Sequence, residues 1–335
     1  MTDRETHDTR RVVDIEAGGV MVVTDLHGDW PLYERYRDVF LHLREQGLAR
    51  ALVFTGDMIH SDGLPEADRS LDIVLDLIEL QAALGPDLVV LLGNHEMPHI
   101  YHVPLSRGEQ VYTPRFERAL GSHRETALSF FRSCPFYVRT RAGVTLSHAG
   151  AFPEAQDGAA VSKLIGFSHQ AVLDAALSGM LPEDRPGLRQ AVSKLTGVPY
   201  ATAAREYLAV ETPESPRYDD YLLGILAGFQ DDFKLLWSAL FSQNEHAVGT
   251  KAYRRQAKAL LEALSEGYHP QLVLVTGHIG CRNGYRVLAG ARHLRIASGS
   301  HAHPLRSARY LLFDAGKRID SAADLLPGLG SLFES

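Results

Sequence analysis

Cysteine is scarce in this chain of 335 residues: Cys134 and Cys281 are the two copies, far apart in sequence. Two thiols cannot build the disulfide framework on which small secreted folds depend, so they read as reduced, buried hydrophobes. A long apolar run is missing, so no membrane span is predicted. The stretch from Met1 to Arg11 is polar where a secretory leader would be apolar. Basic residues are not in excess either, with 34 Lys and Arg against 41 Asp and Glu and a formal charge of −7. That balance disfavours long nucleic acid or an anionic membrane as a partner, although a local basic pocket remains open. Internal repeats and low-complexity tracts are also lacking. What is present is ordinary for a globular chain, 45% hydrophobic and 22% charged, and long enough for one large domain or two small ones. A cytoplasmic location is expected.

The first half alternates short apolar runs with helical patterns, which predicts an α/β fold. Val20 to Thr24, Ala51 to Thr55 and Leu88 to Leu92 read as buried strands; Trp30 to Gln46 and Pro65 to Leu84 read as helices. Later, Phe136 to Arg139 and Val144 to Ser147 form a predicted hairpin. Leu272 to Thr276, Tyr285 to Leu288, Leu294 to Ala297 and Tyr310 to Phe313 are further strands. Residues 153–235 read as a helical insertion or cap within a domain spanning 18–320, and the tail after Asp320 as a short helix with a frayed end.

Five polar motifs punctuate this pattern: Asp25-Leu26-His27-Gly28, Gly56-Asp57, Gly93-Asn94-His95-Glu96, His148-Ala149-Gly150 and Gly277-His278. Each alone is a weak signal, but each begins where a predicted strand ends. In sheets of buried parallel strands, ligands bind beyond the carboxyl ends. Two like-charged metal ions held close together need an anionic bridge, and Asp57 is the candidate. Asp25 and His27 would complete one metal; Asn94, His148 and His278 would complete the other. Imidazole, carboxylate and amide donors without thiolate suit manganese, the expected ion, with iron, zinc, nickel, cobalt or magnesium as alternatives. His95 follows Asn94 directly and is placed to donate a proton to a leaving group, with Glu96, Asp62 or His60 as its orienting partner.

These motifs resemble the calcineurin-like metallophosphoesterase superfamily, and within it the phosphoprotein phosphatase branch with its diadenosine tetraphosphate hydrolase relatives. Glu96 in the third motif, Leu235-Leu236-Trp237-Ser238, and Gly277-His278-Ile279 followed by Asn283-Gly284-Tyr285-Arg286 extend the resemblance over residues 20 to 315. It implies a β-sandwich of two mixed sheets flanked by helices, with a dimetal site at the strand ends. It also shows departures. His60 stands where the Asp that pairs with the catalytic His belongs, and a slip of one residue would make Asp62 that acid. Ser61 replaces a phosphate-binding Arg, for which Lys251, Arg254, Arg255 or Arg107 could substitute. His301 stands where a substrate-facing Tyr would be, and Gly280 replaces the second His of Gly-His-x-His.

The expected activity is hydrolysis of a phosphomonoester by metal-bound hydroxide, on phosphoserine or phosphothreonine in proteins or on a small phosphorylated metabolite. The alternatives are a dinucleoside polyphosphate hydrolase, with Tyr101, His102 and Arg107 near the nucleoside, and a non-catalytic metal- or phosphate-binding module.

Overall fold

The computed structural model describes residues 11–242 and 245–333; of the polar N-terminal stretch, only Arg11 lies within them. Among the described residues, eleven strands make the two main sheets. In chain order they are β1 (Val12–Ile15), β2 (Gly19–Val23), β3 (Ala51–Phe54), β4 (Leu88–Val90), β5 (Tyr137–Thr140), β6 (Val144–Ser147), β7 (Val273–Thr276), β8 (Tyr285–Leu288), β9 (His293–Ile296), β10 (Tyr310–Asp314) and β11 (Leu329–Gly330). One sheet has the order β1-β5-β6-β7-β9-β8 and the other β11-β10-β2-β3-β4. Both are mixed: β2, β3 and β4 run parallel while β10 is antiparallel to β2, and β6, β7 and β9 run parallel while β5 is antiparallel to β6 and β8 to β9.

The apolar runs are continuous because both faces of each strand are covered. Val20, Val22, Val53, Leu146, Val275, Ile296 and Leu311 point between the sheets and pack as one cluster. The alternate residues Met21, Val23, Leu52 and Phe54 point the other way and pack against helices. A one-residue slip of β2 would exchange these two sets, so its register is tightly specified.

Helix α1 (Trp30–Glu45) starts where the Asp29 side chain accepts a hydrogen bond from Leu32 N, and it buries Leu32, Tyr33, Tyr36 and Phe40. The helix expected from Pro65 begins later: Pro65–Ala67 is a single 3-10 turn, and α2 covers Ser70–Leu84. Then come α3 (Met97–Tyr101), α4 (Thr113–Leu120) and α5 (Arg124–Ser133). Among the described residues, eight further helices, α6 to α13, run from Gly158 to Leu264. They include α10 (Asp220–Gly228) and α13 (Thr250–Leu264), so the helical segment continues beyond residue 235. It packs beside α3 and α4: Tyr101 meets His169 at 2.6 Å, and Arg217 meets Glu117 at 2.7 Å.

Both ends of the chain differ from expectation. β1 lies before residue 18 and pairs in parallel with β5. The tail folds into a 3-10 helix (Ala322–Gly328) and then pairs as β11 with β10, so the expected fraying is replaced by an edge strand. Both cysteines are free and buried. No helix among the described residues is long and apolar enough to cross a membrane.

Candidate metal centre and its surroundings

Asp25 follows β2, Asp57 follows β3, Asn94 follows β4, His148 follows β6 and His278 follows β7. The strand ends are sewn together across the sandwich. Thr24 N donates to Ser298 Oγ at 2.9 Å, and Ser298 N donates to Thr24 Oγ1 at 3.1 Å. His278 N donates to the Asp25 carboxylate at 2.9 Å. Gly277 permits that approach, since a Cβ there would collide with Asp25. Asp25, His27, Asp57 and His278 all adopt positive φ, as does His60. Left-handed backbone at non-glycine residues costs free energy, and its concentration here marks a functional site.

Three groups of ligand atoms converge, each within 4.8 Å: Asp25, His27 and His301; His27, Asp57 and His95; and Asp57, His148 and His278. Asp57 is shared by two of them, as a bridge must be. Asn94 Oδ1 lies 2.7 Å from His148 Nε2. His148 Nδ1 lies 2.9 Å from the carbonyl of Thr55, so it carries the ring hydrogen. Nε2 therefore presents a lone pair to Asn94 Oδ1 and, at 3.5 Å, to Asp57 Oδ2. His27 repeats the arrangement: Nδ1 faces the carbonyl of Ile59 at 3.3 Å, while Nε2 is buried without a hydrogen-bond partner, 4.0 Å from Asp57 Oδ2. Lone pairs converging in a buried space call for cations, and the donor set fits borderline-hard divalent ions.

The electrostatics agree. Burial, then the charges of Glu96 and Asp25, push the Asp57 carboxyl well up from its ordinary range. Burial also opposes ionisation of Asp25, but His301, His148 and His27 outweigh it and hold that carboxyl low. Burial pulls His27 down to about 4 and lowers His148 and His278 as well. Neutral imidazoles are the form that binds metal, and a bound cation would favour the ionised form of Asp57.

Glu96 does not orient His95. Its carboxylate accepts from the backbone N–H groups of Asp57 at 3.0 Å, Met58 at 2.8 Å and Gly93 at 3.1 Å, which ties the second motif to the third. Glu96→Ala would strand these buried donors. It is expected to lower stability by about 2–4 kcal/mol, read as a reduced denaturant midpoint at unchanged slope.

Asp62 does not orient His95 either. Its carboxylate accepts from the Tyr112 hydroxyl and lies 3.5 Å from Arg107. The residue against His95 Nδ1 is His60, at 3.1 Å. The chain keeps the register in which position 60 faces His95, with an imidazole in place of a carboxylate. The opposite ring atom, His95 Nε2, faces the centre, 4.0 Å from Asp57 Oδ2.

The expected phosphate-binding residues separate. Arg254 packs on Gly290, in the turn before β9, whereas the site follows the far end of β9. Lys251 is exposed in the first turn of the same helix, whose Thr250 lines a cavity with residues 286–291 beside that turn. Arg107 is three-quarters exposed over Asp62, on a ribbon pairing Ser106–Arg107 with Gln110–Val111, and its charge acts on His301. It is the basic candidate positioned at the site. Arg107→Ala is expected to raise KM for a phosphate ester about tenfold with a smaller change in kcat, measured by steady-state kinetics. His301, expected to face substrate, has its Nδ1 buried without a hydrogen-bond partner, 3.5 Å from Asp25 Oδ1, and it groups with Asp25 and His27. The sequence does not group it with the candidate ligands, because it lies in a loop outside the five motifs. The ring of His303, from the same loop, fills the space beside Gly280 where a side chain would stand. Tyr101 and His102, considered for a nucleoside, are buried and bonded to His169 and Arg124.

Among curated proteins, none matches the sequence. A protein serine/threonine phosphatase from Saccharomyces cerevisiae with similarity to human phosphatase PP5 superposes with a TM-score of 0.50 at 13% identity, covering 96% of this chain and 82% of that one. At that identity the likeness shows the fold alone. Looser likenesses, with no weight in the argument, are to a cold-active protein-tyrosine phosphatase of a psychrophile Shewanella sp. (TM-score 0.45, 16% identity, 90% of this chain and 76% of that one) and to a diadenosine tetraphosphatase (TM-score 0.39, 13% identity, 90% and 92%). Residues 19–169 match the family model of calcineurin-like phosphoesterases, so the segment bearing four of the five motifs is recognised as calcineurin-like phosphoesterase sequence.

Proposed function

We propose that the chain is a two-metal phosphatase acting on phosphomonoesters. The family match supports a phosphoesterase function. The observation that carries the finer reading is the convergence of lone pairs from His27, Asn94 and His148 around Asp57. Asp25, His27, Asp57 and His301 would hold one ion; Asp57, Asn94, His148 and His278 would hold the other. Bound divalent ions would neutralise phosphoryl oxygens and lower the pKa of a water nucleophile.

The chain's own residues do the rest. Arg107 meets the phosphate from the solvent side. His95 Nε2 faces the centre and gives its proton to the leaving oxygen. Burial, then neighbouring imidazoles, pulls His95 down, and an arriving phosphate dianion opposes that pull.

The test is metal analysis together with hydrolysis of p-nitrophenyl phosphate, a phosphodiester and diadenosine tetraphosphate with added Mn. Two equivalents of metal and a preference for the monoester support the reading. Faster turnover of the dinucleotide would replace it with a polyphosphate hydrolase. Bound metal without turnover of any ester would favour a binding module. His301→Ala is expected to weaken uptake of one equivalent while leaving the second, read by titration calorimetry.

A further inference from the structure

Where a carboxylate would stand behind His95, the chain places a line of imidazoles. His95 Nδ1 lies 3.1 Å from His60 Nδ1, His60 Nε2 lies 2.8 Å from His99 Nε2, and His99 Nδ1 lies 2.7 Å from Glu117 Oε1. His60 is buried, and the side chains of His99 and Glu117 are wholly so. Tyr112 stacks on His60 at 5.4 Å, and Phe116 packs edge-on against both His60 and His99. These rings wall the line from solvent.

A line of this kind has a direction. Glu117 Oε2 also receives Arg217 at 2.7 Å and Arg124 at 3.2 Å. Burial opposes its charge, but His99 and the two guanidiniums hold the carboxyl down at about 2. An ionised carboxylate only accepts, so His99 Nδ1 bears the hydrogen, and in the neutral ring its Nε2 is a lone pair. His60 Nε2 must then donate, which leaves His60 Nδ1 as an acceptor. His95 Nδ1 must donate in turn. Ionised Glu117 thereby sets every tautomer up to the site.

Resting on the reading of His95 as the proton donor, we propose that His60, His99 and Glu117 form a positioning relay. It orients His95 and keeps the hydrogen on its Nδ1, doing through two imidazoles what one adjacent carboxylate would do directly. As the P–O bond breaks, its electron pair goes to the leaving oxygen, which takes the proton from His95 Nε2. The ring is left neutral with its hydrogen on Nδ1, the tautomer the relay favours. Arg217 lies just before α10, so the far end of the relay is anchored by the helical segment.

The experiment compares kcat for phenyl phosphate, whose leaving group needs a proton, with kcat for 2,4-dinitrophenyl phosphate, whose leaving group does not. The ratio of the second to the first is expected to rise about tenfold or more in His60→Ala and His99→Gln, at wild-type metal content. His60→Asp, which puts a carboxylate beside His95, should return the ratio to within about threefold of wild type. Nitrogen-15 NMR of the folded protein should show His99 protonated at Nδ1 and His60 at Nε2. The relay is overturned if His95→Ala raises the ratio while His60→Ala and His99→Gln do not. It is also overturned by the opposite tautomers, or by a loss of metal that accounts for the slower turnover. If His95→Ala itself leaves the ratio unchanged, the proton-donor reading fails instead. Should His60→Ala not fold, the ratio in His99→Gln and the tautomers decide.

Discussion

Asp57→Asn is expected to abolish metal binding and reduce phosphatase turnover by about a thousandfold or more, while making the metal-free protein more stable. The two effects have one cause. Asp57 lies in a buried cluster with Asp25 and Glu96, whose charges join burial in pushing its carboxyl well up. A carboxyl raised in the folded state favours folding while it is protonated. That benefit fades as pH rises from the unfolded value toward the folded one, so near neutrality its charge is a liability. Asn removes that charge and can still accept the 2.9 Å hydrogen bond from His95 N, so metal-free melting temperature should rise. The same charge is what a bridge between two divalent ions requires, and several kcal/mol of transition-state stabilisation correspond to about 10³-fold or more in rate. The check is calorimetry with and without Mn. Wild type should gain melting temperature with metal by mass action, and the variant should gain none. A variant that keeps both equivalents of metal would remove Asp57 from the bridging position.

The second large effect is at His95. His95→Ala is expected to lower kcat by about 10² to 10⁴-fold for esters with poor leaving groups, the range for loss of a general acid. KM and metal content should stay near wild type. The structure makes the metal measurement decisive, because His95 Nε2 also falls within ligand range of His27 and Asp57. An emptied site would make His95 a ligand; a filled but slow site would make it the proton donor. The 3.1 Å contact of Nδ1 with His60 favours the second, since it orients the ring from behind.

Much of the fold was legible because its signals are local. β2, β3 and β4 are continuous apolar runs closed by glycine or a polar residue, and each lies within two residues of the expected bounds. β1 was missed because four residues with Asp14 at the edge carry no periodic signal; pairing with β5, far away in sequence, makes them a strand. The tail was read as frayed for the same reason, and β10 gives β11 its partner. The exchange of Asp62 for His60 has a similar origin. Positions 60 to 62 offer three polar side chains in a turn, and only the positive φ of His60 and its bond from N to Ser70 Oγ aim that imidazole at His95.

By itself the sequence determined the candidate inventory. Two Asp, one Asn and three His at the ends of apolar runs, with His95 beside them, follow from residue type and strand periodicity, which need no knowledge of distant contacts. The tertiary structure decided everything that depends on approach between remote segments. It brought His301 to Asp25 and set Glu96 under two motifs at once. It also left Arg254 at the far end of β9 from the site and aligned His60, His99 and Glu117 behind His95. Such contacts join residues on different strands and helices. They are decided by how the two sheets and their helices pack, and no local pattern along the chain records that packing.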